Sequence, residues 1–167
     1  FGRGRLKAWD RSAIFLARDG RLSSESLAKA LCRGLIDSGI TVLDLGAVAT
    51  PVMYYATYAH DVDSGLMVTG SHNPADYNGI KIVLAGTTLA HADISILYDL
   101  VAEGVFQPGI GQYRAVSIMD EYVQRMLSDM RLSRPLKVVV DCGNGIAGAT
   151  IPEVLRRLGC EVIPLYC

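Results

Sequence analysis

Apolar positions along this chain form short continuous runs, separated by segments in which they recur at helical spacing. "SAIFLA" (12–17) and "TVLDLG" (41–46) are runs of the first kind and are predicted strands. Between them, Leu27, Ala30, Leu31, Gly34 and Leu35 fall at i, i+3, i+4, i+7 and i+8. That spacing predicts a helix from Glu25 to Ser38 packed on a sheet. Ser23 or Ser24 can cap its start and Gly39 can end it. Strand, helix, strand within so short a span is a βαβ unit, whose crossover is right-handed.

The pattern continues. Thr50-Pro51 has the chemistry of a helix start, and the helix is expected to reach His60. "SGLMVT" (64–69) and "GIKIVL" (79–84) are the next strands. Asn78-Gly79 is a tight-turn dipeptide, so this pair is expected to be antiparallel at one edge. Residues 91–104 and 118–130 are helix candidates, and "FQPGIGQY" (106–113) has loop composition. Ser133-Arg134-Pro135 looks like a linker. After it, strand, glycine-bearing turn, helix and strand recur over residues 136–166, with Asp141 placed as Asp19 is in the first unit. The expected architecture is a three-layer α/β/α domain over 1–132 with a mixed, mostly parallel sheet. A second domain of similar topology begins near Pro135 and is cut off within 135–167.

Composition narrows the function. The 167 residues carry 16 basic and 17 acidic side chains, a net charge of −1. No basic surface for nucleic acid or lipid headgroups follows from that balance. No run approaches the ~20 apolar residues of a membrane span. The opening "FGRGRLKAWD" has no apolar signal-peptide region and no initiator methionine, so the chain reads as a possible fragment. Cys32, Cys142, Cys160 and Cys167 lack C-x-x-C or metal-ligand spacing. Reduced thiols and a cytoplasmic location are expected.

The chemistry concentrates in "TGSHNPADYNGIK" (69–81). Ligands of α/β sheets bind beyond the carboxyl ends of parallel strands, and Ser71 follows such an end. Gly70 permits close backbone approach. Asn73 and the loop amides can surround an anion. Lys81 is a cation within reach if the two strands pair, and His72 can move a proton or donate to a phosphate. Phosphoryl transfer asks for in-line positioning and positive charge around the equatorial oxygens. One carrier hydroxyl, one cation, one histidine and several donors meet that need better than acyl transfer. The loop is neither a Walker A sequence nor a G-x-S-x-G elbow. On chemistry alone, a polar surface turn with an incidental serine stays open.

With those residues in view, "MVTGSHNPADYNGIKI" (67–82) resembles the phosphoserine loop of the α-D-phosphohexomutases, the phosphomannomutase/phosphoglucomutase family. "ARDGRLS" (17–23), "GAVATPVMYYA" (46–56) and "VVVDCGNGIAG" (138–148) resemble other family segments. The resemblance implies that Ser71 carries a phosphoryl group and exchanges it with a hexose 1- or 6-phosphate through a hexose 1,6-bisphosphate. It implies a Mg2+ ion held partly through the phosphate on Ser71, with Lys81 stabilising the transferred group. His72 would assist with protons or phosphate contacts, and Asn73 would shape the loop. Arg18 and Arg21 read as a solvated salt bridge with Asp19. Tyr77 reads as loop support, and His60 and His91 receive no site. The family's N-terminal arginine segment, D-G-D-G-D-R magnesium loop and sugar-recognition loop have no counterpart in these residues, so the chain alone is expected to be inactive.

Two other classes remain. Gly143, Gly145 and Gly148 have G-x-G-x-x-G spacing, with Glu161 beyond them, which taken alone points to an NAD-dependent oxidoreductase. A non-catalytic sugar-phosphate-binding domain is the third. Cofactor binding, covalent phosphate on Ser71, and ligand binding without phosphoserine separate the three.

Overall fold

The computed structural model describes residues 13–167; the segment "FGRGRLKAWDRS" and the expectations placed on it lie outside those residues. The first strand, β1 (Ala13–Arg18), is followed by α1 (Ser24–Asp37) and β2 (Thr41–Ala47). Next come α2 (Thr50–Ala59), β3 (Gly65–Val68), β4 (Ile80–Leu84), β5 (Thr87–Thr88), α3 (Ala92–Ala102), β6 (Tyr113–Ala115) and α4 (Met119–Asp129). These strands form one sheet in the order β5-β4-β3-β1-β2-β6. The three pairings β1–β2, β1–β3 and β2–β6 are parallel. The pair β3–β4 is antiparallel, as expected from Asn78-Gly79, but β5 pairs antiparallel with β4 and takes the edge position.

The apolar runs are strands because both sheet faces are covered. On one face Phe15, Leu43 and Met67 pack with Val52, Met53 and Ala56 of α2 and with Ile118, just ahead of α4. On the other, Ile14, Leu16, Val42, Leu66 and Val68 meet α1. A strand buried on both sides reads as an unbroken apolar run rather than an alternating one.

Helix α1 is rotated from the expected face. Ala28, Leu31, Cys32, Leu35 and Ile36 face the sheet, while Leu27 is 42% exposed and Ala30 and Gly34 lie outward. The cause sits in its first turn: Ser24 is fully buried and its hydroxyl donates to the Asp19 carboxylate. Anchoring position 24 inward brings 28, 31, 32 and 35 inward with it. The helix ends as expected, with the Gly39 amide bonded to the Ile36 carbonyl and the Ile40 amide to that of Leu35. Helix α2 starts one residue early, with Ala49 in extended backbone at the N-cap and Pro51 in the first turn.

Strands β5 and β6 are additions to the sequence reading. Only two and three residues long, they carry no alternation to detect. Beside β6 the chain presses on Ile40, and a Cβ at Gly111 would collide with the Ile40 carbonyl oxygen. We expect Gly111→Ala to cost about 1–3 kcal/mol, read as a lower urea midpoint at unchanged slope; an unchanged midpoint would refute that packing.

The remaining residues form β7 (Lys137–Asp141), a 3₁₀ turn (Ile146–Ala149), α5 (Ile151–Arg157) and β8 (Glu161–Leu165), with β7 and β8 parallel in a separate sheet. The likeness to the first unit extends to its turn. Asp141 Oδ1 accepts from the Gly143 amide at 2.8 Å, as Asp19 Oδ1 accepts from the Arg21 amide at 3.1 Å.

Candidate functional site

The serine loop grows from the carboxyl end of β3, beside the carboxyl end of β1. The ladder continues past both strands: the Asp19 amide donates to the Val68 carbonyl at 2.9 Å, and the Thr69 amide to that of Gly79 at 2.9 Å. The loop of residues 70–79 is therefore closed at its base by β4 and flanked by the turn after β1.

Asp19 organises that flank. Its carboxylate accepts from the amides of Arg21 and Gly70, at 3.1 and 3.3 Å, and from the Ser24 hydroxyl. Burial pushes the carboxyl pKa up, but bonds from Ser24, the Arg21 amide, Thr69 and the Gly70 amide outweigh it and hold the value below the usual one. Arg21 Nε lies 3.3 Å from the same carboxylate.

Arg21 then reaches across the loop. Nη1 donates to the carbonyls of Pro74 and Tyr77, at 2.5 and 3.1 Å. Nη2 donates to those of Ser71 and Asn73, at 3.0 and 2.8 Å. The guanidinium fills the space over Gly70, where any Cβ would overlap its central carbon. Asn78 ties the far end down, donating to the hydroxyls of Ser23 and Ser24 at 2.9 and 2.8 Å.

Of the expected site residues, Ser71, His72 and Asn73 are together on this loop and all exposed. Ser71 has φ +51°, a left-handed conformation uncommon for a residue with a Cβ. Its amide donates to Thr69 Oγ1 at 3.0 Å. Lys81 lies on the adjacent strand, half-buried, opposite Met67 in the register and so on the α2 face. Among the described residues, neither the Ser71 hydroxyl nor the side chains of His72 and Lys81 make a hydrogen bond or ion pair.

Sequence reasoning gives Arg21 too small a part, and it offers Ser23 or Ser24 as a helix cap, whereas neither caps α1 through its side chain and the Ser24 hydroxyl is turned to Asp19. The Asn-Gly dipeptide was read as a turn alone, although Asn78 also reaches α1. His60 is buried beside Phe15 at the end of α2 and joins no part of the loop. Glu161 pairs with Lys137 in register and at 2.7 Å, at the amino ends of β8 and β7. A ribose-binding acid belongs at the opposite end of its strand.

Fold and loop together describe an α/β/α domain that presents a serine hydroxyl beyond its parallel strands. The sequence model for phosphoglucomutase/phosphomannomutase, alpha/beta/alpha domain I, matches residues 3–108. The chain belongs to the phosphoglucomutase/phosphomannomutase family. It is 48% identical over 154 residues to a phosphomannomutase/phosphoglucomutase of Pseudomonas aeruginosa, covering 92% of this chain and 33% of that protein. It is 42% identical over 156 residues to a phosphoglucomutase of Neisseria meningitidis serogroup B, covering 92% of this chain and 34% of the relative. A crystal structure of a phosphoglucomutase/phosphomannomutase family protein from Burkholderia thailandensis superposes with TM-score 0.87 at 44% identity, covering 93% of this chain and 36% of that one. The chain thus spans about a third of the length of the curated relatives it matches.

Proposed function

We propose that this chain is the phosphoryl-carrying part of a mutase that interconverts hexose 1-phosphates and 6-phosphates of mannose, glucose or both. The observation that carries the reading is the Ser71 hydroxyl: exposed, without a hydrogen-bond partner among the described residues, and set on left-handed backbone in a loop whose carbonyls are taken up by Arg21. Family membership supports the same reading. In this scheme residues 1–132 form domain I and 135–167 begin domain II.

The cycle balances without an external reactant. Phosphoserine at 71 donates its phosphoryl group to the free hydroxyl of a bound hexose monophosphate. The Ser71 O–P bond breaks, a new sugar O–P bond forms, and the hydroxyl proton moves to Ser71, with His72 as the group able to pass it. The bisphosphate turns over, and its other phosphate returns to Ser71. Lys81 offsets charge on the equatorial oxygens. A hexose 1,6-bisphosphate acts as activator by charging an unphosphorylated Ser71.

Magnesium is expected to neutralise phosphate charge in such a reaction. Among the described residues no group of three or more His, Cys, Asp or Glu side chains is placed to hold a metal ion. A phosphate on Ser71 would supply one ligand, which by itself is not a site. Among the described residues no helix is long and apolar enough to cross a membrane. A cytoplasmic enzyme of carbohydrate metabolism, with no nucleic-acid or membrane partner, is the reading we adopt.

Tandem mass spectrometry after incubation with a hexose 1,6-bisphosphate tests the proposal. Phosphate is expected on Ser71 and on neither Ser64 nor Ser95. A bare Ser71 with the sugar phosphate still bound would replace the mutase reading with that of a binding domain. The same 167 residues are expected to show no steady mutase turnover by themselves, and normal turnover in a coupled assay would overturn that expectation.

A further inference from the structure

We propose that Arg21 is the positioning residue of the serine loop, a template that holds Ser71 in its left-handed conformation without touching the transferred group. For the chemistry of Ser71 this rests on the function proposed above; for the shape of the loop it does not.

The argument starts from where the carbonyls point. Residues 71, 73, 74 and 77 all direct their oxygens at one guanidinium. A loop of this length has no reason to converge its carbonyls unless a donor with several fixed N–H directions sits inside it. Arginine supplies a planar fork of five donors, whereas a lysine ammonium has three on a flexible stem. The fork is itself oriented, because Nε lies 3.3 Å from the Asp19 carboxylate and the carboxylate is held by α1 and the strand ends.

Two consequences follow for Ser71. With the carbonyls taken up by Arg21, the amides of His72, Ala75 and Asp76 are left without a partner among the described residues. Unpartnered amides in the serine's own loop are donors that an anion can take. Fixing the Ser71 carbonyl from one side and its amide from Thr69 on the other also determines φ and ψ at that residue. Strained backbone of this kind persists only where its surroundings over-determine it.

Two variants test the template from opposite sides. Arg21→Lys keeps a positive charge beside Asp19 and removes the fork. Gly70→Ala keeps Arg21 and places a methyl group where its guanidinium carbon lies. Both are examined by amide NMR for the coupling that reports φ at Ser71, and by the rate at which Ser71 takes phosphate from a hexose 1,6-bisphosphate. In both variants φ at Ser71 is expected to leave the left-handed region. Phosphate uptake should fall by about 10- to 100-fold, the scale set by misplacing a reacting group by about 1 Å, while the β1 and β3 amides keep their shifts. Guanidinium ion added to Arg21→Ala is expected to recover part of the rate, which a general loss of folding in that variant does not predict. A Ser71 amide that keeps its shift and coupling in both variants overturns the proposal. If Arg21→Lys does not fold, Gly70→Ala and the rescue decide it. A parent that never takes phosphate, with a loop that still loosens in the variants, defeats the proposed function and leaves the template standing.

Discussion

Ser71→Gly is expected to abolish phosphate uptake while leaving the domain as stable as its parent, or slightly more so. The hydroxyl is the only oxygen the proposed carrier offers, and removing a nucleophile that forms a covalent intermediate costs turnover by more than about a thousandfold. The side chain is exposed and makes no hydrogen bond among the described residues, so little of the fold depends on it. At φ +51° a residue with a Cβ is strained by about 1–2 kcal/mol, and glycine is not. Glycine returns part of that gain through the freedom of the unfolded chain, leaving a net change within about 1 kcal/mol. A variant that is inert yet no less stable marks strain retained for function. Phosphate found on Ser71→Gly protein, or a large loss of its thermal stability, would contradict the argument.

Asp19→Asn is expected to give the largest loss of stability among single changes near the loop. An amide offers one acceptor oxygen where the carboxylate offers two, and its NH₂ would face the Gly70 amide or the Arg21 Nε donor. We expect a cost of about 2–3 kcal/mol near neutral pH, the scale of a lost hydrogen bond to a charged group. The pH dependence has a definite sign. The Asp19 pKa is lower in the folded state than its ordinary value, despite the upward push of burial. The carboxylate therefore contributes fully above the ordinary value, and the contribution is lost as pH falls through the folded one. Urea midpoints of the two proteins should be well separated at pH 7 and draw together only as pH falls below the ordinary carboxylate value and through the lower folded one. A gap of constant size across that range would mean that the charge of Asp19 is not what holds the turn.

Much of the architecture was legible because strands buried on both faces leave unbroken apolar runs and helices leave a periodic stripe. The serine loop was legible for a different reason: a hydroxyl, an imidazole and an ammonium are chemically distinctive side chains set close together in sequence. What escaped was either short or written in main chain. Strands β5 and β6 are too brief to alternate. Helix α1 carries apolar residues on more than one flank, and only the tertiary bond from Ser24 to Asp19 selects the buried one. Arg21 was read as a surface salt bridge because its principal partners are carbonyl groups. Every residue type has a carbonyl, so no pattern of letters announces four of them converging.

The distance along the chain between Arg21 and the carbonyls it grips has a consequence for how the protein is made. Arg21 leads Ser71 by 50 residues and Tyr77 by 56. Their meeting depends on β3 docking beside β1, with β2 already on the other flank. On a ribosome adding about 5–20 residues per second, the first half of the clamp waits several seconds for the second. A nascent chain therefore carries a serine with no assembled anion site around it, and closure of a long loop must precede any reward from the contacts it brings. Competence to accept phosphate should appear in one step with the completed sheet, so that a partly synthesised or misfolded chain stays uncharged.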